Sequence, residues 1–246
     1  MGEIAILMAA GMGTRMRPLT EKTPKPLIKV HERPMIETVI DGLKGRGVNR
    51  FFVVTGYLGE QFSYLKEKDP GISIVQNPYF ETINNISSVY AVAEELKHTT
   101  DDVFICEADL YVESTGVFRV PLEHSCYFGK PVAGYSDDWV FDTDAGGRIT
   151  RVGKGGTDCP NMCGISFFQS KDANILGRLI TEAWGKPGYE DLFWDDVVNA
   201  NLKSLDLTVH TIGEGQITEI DTVEELAAMD GQYRLEAEKR MKEKHI

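Results

Sequence analysis

The chain has 246 residues, 42% of them hydrophobic, and 26 Lys and Arg against 38 Asp and Glu for a formal net charge of −12. That balance excludes a nucleic-acid partner, whose phosphates require clustered cations, and no apolar run reaches the ~18 residues that span a bilayer, so no membrane partner is expected either. The length suits one domain with a sizeable core, and a start without a basic region and long apolar region reads as cytoplasmic.

Taken in chain order, residues 4–9 form a short apolar run ending in small residues, read as a buried parallel strand feeding a turn. Residues 34–46 place Met35, Ile36, Val39, Ile40 and Leu43 at helical spacing. Residues 50–55 read as a strand, 62–68 as a helix and 72–76 as a third strand. Residues 87–96 read as one helix with Val89, Val92, Ala93 and Leu96 on one side, and 103–106 as a fourth buried strand that leads into Glu107-Ala108-Asp109. This alternation predicts a parallel sheet of βαβ units, with ligands at the carboxyl ends of the strands.

The second half is less regular. Strands are expected over 130–134, 141–144, 148–152 and 164–168, and helices over 171–184 and 190–203. Residues 207–212 and 216–220 could add strands. Thr222-Val223-Glu224-Glu225 resembles a capping box opening a further helix. Cys106, Cys126, Cys159 and Cys163 make no CxxC pair, and reduced thiols are expected.

Between the first strand and first long helix lies the most informative stretch, Ala9-Ala10-Gly11-Met12-Gly13-Thr14-Arg15-Met16-Arg17-Pro18, followed by Pro24-Lys25-Pro26-Leu27. Gly11 and Gly13 permit a tight turn that presents N–H groups to an anion. A dinucleotide fingerprint fails because Met16 stands where the third glycine belongs, and no Walker loop is present. Residues 14–33 carry Arg15, Arg17, Lys22, Lys25, Lys29 and Arg33 against two glutamates, a local basic patch suited to a small anionic ligand.

Residues 7–27 resemble the signature of the sugar-phosphate nucleotidyltransferase superfamily: a strand, then GxGTR, then PKPL. Within it the chain is similar to the CTP:phosphocholine cytidylyltransferases. Gly56-Tyr57-Leu58-Gly59-Glu60-Gln61-Phe62, Asn84-Asn85 with Ser88, Glu107-Ala108-Asp109, Asp191-Leu192-Phe193-Trp194-Asp195 and Glu219-Ile220-Asp221 follow in the family's order, to about residue 230. The resemblance implies an α/β fold: a single Rossmann-like nucleotidyltransferase domain over 1–230, its mostly parallel central sheet flanked by helices, with a smaller acceptor-binding β/α insertion. A charged helical tail over 231–246 would follow.

The implied reaction transfers CMP from CTP to phosphocholine, giving CDP-choline and pyrophosphate. Alternatives are a cytidylyltransferase for 2-aminoethylphosphonate and a sugar-1-phosphate nucleotidyltransferase. A phosphate monoester is largely dianionic at neutral pH, its second pKa being about 6, so the protein must supply charge neutralisation and alignment rather than a base. Lys25 and Arg15 are the implied catalytic cations, Arg15 on the β and γ phosphates and Lys25 near the α-phosphate. Ala9, Ala10, Gly11, Gly13, Thr14, Asn84, Ser88 and Asp109 are the expected nucleotide contacts. The resemblance assigns Asp109 and Asp221 to Mg2+, a hard ion that shares its remaining coordination with phosphate and water.

A quaternary ammonium cannot donate hydrogen bonds and needs aromatic faces and carboxylates, for which Trp139 and Phe193, with Asp195 and Glu219, are candidates. Phe193 departs from the tyrosine associated with that position, which leaves the acceptor open. Lys154, among glycines, is either the holder of the acceptor phosphate or a turn lysine. Trp194 shares a helical stripe with Val197, Val198 and Leu205 and reads as core. The sequence leaves a homo-oligomer open. A nucleotide sensor without catalysis would be signalled by loss of Lys25 or either metal aspartate, and all three are present.

Overall fold

A computed structural model describes residues 2–243. Strand β1 (Glu3–Ala9) sends Ile4 and Ile6 to one hydrophobic cluster and Ala5 and Leu7 to another, so it is covered on both faces. A strand so placed needs partners on both edges. It pairs in parallel with β2 (Arg50–Thr55), which pairs in parallel with β3 (Ile72–Gln76), and on its other edge with β4 (Asp102–Glu107). Helix α1 (Met35–Arg46) packs Ile36, Val39, Ile40 and Leu43 against one face. The short α2 (Ser63–Lys68) follows β2.

The helix expected over 87–96 is two: α3 (Ile86–Tyr90) and α4 (Ala93–His98). Val92 breaks the helical path at φ −119°. Val89, Val92, Ala93 and Leu96 nevertheless share one buried cluster, as the spacing predicted. The break accompanies a close crossing by α5 (Ser170–Ala183), where a β-carbon on Gly177 would come within 2.9 Å of the Ala93 carbonyl oxygen.

Beyond β4 come β5 (Leu110–Val112), β6 (Ser125–Lys130), β7 (Tyr135–Thr143), β8 (Ile149–Thr157), β9 (Asn161–Phe168), α6 (Trp194–Ala200), β10 (Leu207–Thr211), β11 (Ile217–Glu219), α7 (Val223–Met229) and α8 (Arg234–Glu243). The nine-stranded sheet runs β8-β7-β9-β4-β1-β2-β3, with β6 also on β9 and β10 on β6. Its centre is parallel and flanked by helices, and antiparallel strands extend it on the β9 side. The strand expected over 130–134 lies earlier in the chain, because Cys126, Tyr127 and Phe128 form the buried run and Pro131 cannot donate to a ladder. The segments 141–144 and 148–152 are the turn-proximal ends of the longer β7–β8 hairpin, which puts Lys154 in a strand rather than a turn. The helix expected over 190–203 shrinks to α6, between single 3-10 turns.

A third cluster joins Met16, Ile28, Val30 and Met35 to Ile220, Val223, Leu226 and Ala237, packing the glycine-loop segment against the C-terminal helices. Positions 244–246 of the expected tail lie outside the described residues. No helix among the described residues is long and apolar enough to cross a membrane. The capping box is formed as expected: Thr222 Oγ1 accepts from the Glu225 N–H at 3.1 Å, and the Glu225 carboxylate accepts from the N–H groups of Thr222 and Asp221. Thr222→Ala is expected to cost about 1 kcal/mol, a fall in thermal midpoint of about 2–4 °C for a chain of this size, measurable by calorimetry.

Candidate active site

The glycine loop is held in place by close packing. Gly13 sits at φ +59°, a conformation that disfavours a β-carbon, and such an atom would also come within 2.9 Å of Lys25 Cβ. Thr20 Oγ1 donates to the Gly13 carbonyl at 2.8 Å, and the Tyr57 N–H donates to the Ala10 carbonyl at 3.1 Å. Lys25 opens a 3-10 turn between two prolines and is buried.

The ammonium of Lys25 donates to Asp109 Oδ2 and to Asp221 Oδ1, both at 2.6 Å. The two aspartates meet because β5 and β11 pair with Leu110 opposite Glu219, which leaves Asp109 and Asp221 at the same end of one ladder. Arg15, largely exposed, reaches Asp221 Oδ1 at 2.8 Å. Burial alone would lower the Lys25 pKa, but the adjoining carboxylates of Asp109 and Asp221 outweigh it and hold the side chain more firmly charged than a free lysine. Against the opposing effect of burial, Lys25 and Arg15 hold Asp221 below the usual carboxylate value.

Around this ion cluster lies a cavity of about 330 Å³ lined by Ala9, Ala10, Gly11, Gly13, Thr14, Arg15, Lys25, Ser88, Asp109, Glu219 and Asp221, together with Met8, Pro26, Asn85 and Glu107. Glu219 lines the cavity and is exposed to it. Burial and the carboxylates of Asp109 and Asp221 push it up to about 8. Glu107 is raised well above the ordinary value by burial and by neighbouring carboxylates, led by Asp109. Glu107 was absent from the expected site, although it stands two residues before Asp109 at the end of a strand, where alternate side chains share a face.

Three expectations need correction. Asn84 does not line the cavity: its side chain donates to the Asp191 carbonyl at 3.1 Å and its N–H to the Glu190 carbonyl, so it fastens two loops together, while the cavity position belongs to Asn85. Asp195 is not a surface counter-charge. It is 4% exposed and accepts a hydrogen bond from the buried Tyr127 hydroxyl at 2.9 Å, in a small pocket that shares Met8 and Glu107 with the main cavity. Trp139, Phe193 and Lys154 do gather, but as a group of their own outside the cavity lining: the rings meet edge to face at 5.3 Å, and the Lys154 ammonium lies 5.5 Å from the Phe193 centroid and 6.0 Å from that of Trp139. Trp194 is core, as expected.

Burial raises the Asp195 carboxyl to about 7 despite the Tyr127 hydrogen bond. The folded state therefore holds a proton that the unfolded chain releases above about pH 4, and the contribution to stability falls as pH rises from about 4 towards 7. Asp195→Asn, which keeps an acceptor for Tyr127 and cannot ionise, is expected to lose less thermal stability between pH 4 and pH 8 than the parent chain. Parallel melting curves at both pH values check this.

Comparisons with known proteins give the family. The MobA-like NTP transferase domain family matches residues 5–136. A 2-aminoethylphosphonate cytidylyltransferase of Lancefieldella rimae is 50% identical over 229 residues, covering 93% of this chain and 92% of that protein. The choline-phosphate cytidylyltransferase of Streptococcus pneumoniae is 34% identical over 226 residues, covering 92% of this chain and 96% of that one. The solved structure of the CTP:phosphocholine cytidylyltransferase from Streptococcus pneumoniae superposes with a TM-score of 0.85 at 34% identity, over 95% of this chain and all of the other. With a glycine loop, a buried lysine and paired aspartates held on the fold of these relatives, the chain belongs to the MobA-like NTP transferase family and, within it, to the cytidylyltransferases.

Proposed function

We propose that the chain transfers CMP from CTP to 2-aminoethylphosphonate, releasing pyrophosphate, with Mg2+ at Asp109 and Asp221. The observation that carries the acceptor is the cavity lining: it includes the carboxylates of Glu107 and Glu219 and, among the described residues, no aromatic ring. A primary ammonium donates hydrogen bonds and is matched by carboxylate oxygens, whereas a quaternary ammonium seeks π-faces. The 50% identity to the Lancefieldella rimae enzyme supports the same acceptor.

In this reading a phosphonate oxygen attacks the α-phosphorus. A new P–O bond forms as the bond to the bridging oxygen breaks, and that electron pair leaves with pyrophosphate. No proton need be removed from the ionised acceptor. Lys25, anchored on two carboxylates, brings a fixed positive charge to the α-phosphate, and Arg15, exposed and paired with Asp221, suits the outer phosphates. The N–H groups of the glycine loop align the chain of phosphates beside them. Both aspartate oxygens lie 2.6 Å from one nitrogen and so within twice that distance of each other, aimed at a common cation position. Mg2+ would be held there by these two carboxylates, with phosphate and water as its other ligands, and would supply neutralisation of triphosphate charge.

Phosphocholine is the second reading, favoured by the Trp139–Phe193 pair and by the Streptococcus pneumoniae relative. Pyrophosphate release measured with each acceptor separates them: kcat/KM is expected to be higher with 2-aminoethylphosphonate, and a preference for phosphocholine would reverse the assignment. Lys25→Ala is expected to lower kcat by about 10²–10³-fold, the range for losing one charge-stabilising donor. Asp109→Ala is expected to abolish turnover with the circular dichroism spectrum unchanged, and activity persisting in that variant would contradict the metal site.

A further inference from the structure

Trp139 and Lys154 face each other across the β7–β8 hairpin as a registered cross-strand pair, with an irregularity in the ladder immediately after Lys154. Opposed residues in an antiparallel pair project their side chains from the same face, and Phe193, arriving from the start of α6, completes the group. The ammonium of Lys154 therefore lies within about 6 Å of both ring centroids, the range of a cation–π contact. This aromatic pair is thus engaged by a cation of the chain itself.

We propose that Lys154 is a specificity-determining residue that withholds the Trp139–Phe193 faces from quaternary ammonium acceptors. This rests on the aminophosphonate reading. A trimethylammonium group entering the pair must displace the lysine from both rings and then remain beside a like charge, with no hydrogen bond to offset either effect. A primary ammonium has no such need, because carboxylates in the cavity can receive it. The exposed Lys154 contributes no side-chain hydrogen bond to the hairpin among those formed by its neighbours, whose ion pair joins Arg151 to Asp142. Removing its charge therefore spares the fold.

The test compares Lys154→Met, which keeps the apolar stem, with Lys154→Arg, which keeps a cation over both rings. Pyrophosphate release is measured for the parent and both variants with phosphocholine and with 2-aminoethylphosphonate. Lys154→Met is expected to raise the ratio of kcat/KM for phosphocholine over 2-aminoethylphosphonate by about tenfold, the scale of one displaced cation–π contact, and Lys154→Arg to keep the parent ratio. If Lys154 instead holds the acceptor phosphate, the methionine variant loses activity towards both acceptors together and the ratio stays put, which overturns the proposal. An equal shift in the arginine variant overturns it as well. The preference of the parent chain reports on the acceptor reading, and the change on substitution reports on Lys154, so the two fail separately.

Discussion

One ammonium group between two carboxylates organises this molecule. Lys25 is nearly sealed from solvent, and a buried cation is tolerable only when ion pairing and hydrogen bonds compensate its lost hydration. Asp109 and Asp221 supply that compensation from segments far apart in the chain. The small ladder between Leu110–Val112 and Ile217–Glu219, the capping box at Thr222 and the cluster around Met16 and Ile220 all act to bring these three side chains together. The glycine loop depends on the same arrangement, since Gly13 lies against the Lys25 stem.

The electrostatics of the cavity follow from this centre. The chain as a whole is strongly acidic, yet its two cavity cations sit at the loop, where a triphosphate would lie. In the same lining, burial and the surrounding carboxylates, Asp109 foremost, raise the carboxyls of Glu107 and Glu219. A lining that holds both cations and acidic groups can meet a ligand pair that is anionic at one end and cationic at the other. The proposed pairing of a nucleotide with an ammonium-bearing phosphonate calls for such a lining.

The antiparallel extension of the sheet performs a different task. The β7–β8 hairpin brings an aromatic pair to the neighbourhood of α6 but covers its faces with a lysine from the facing strand. Related cytidylyltransferases named for 2-aminoethylphosphonate and for choline phosphate share this fold, so the distinction between acceptors must lie in side chains and not in architecture. The proposed role of Lys154 over two rings is of that kind.

Local chemistry was legible in the sequence. The strand, the glycine turn, the lysine between prolines and the capping box are each specified by neighbours within a few residues, and each is found where its spacing placed it. The parallel core was legible for the same reason, through apolar runs separated by helical periodicity. What a side chain faces was decided by tertiary structure. Asn84 and Asn85 differ by one position, and both side chains bond the segment 191–194, yet about 100° of rotation at the start of a helix leaves only Asn85 in the cavity lining. Asp195 reads as an available charge until Tyr127, from a distant strand, closes over it. Lys154 reads equally as a phosphate holder or a turn residue until the long hairpin sets it in a strand opposite Trp139. Residue types and short spacings determine which chemistry is possible, while strand register and sheet order determine which groups meet, because those depend on the packing of the whole chain and on no single segment of it.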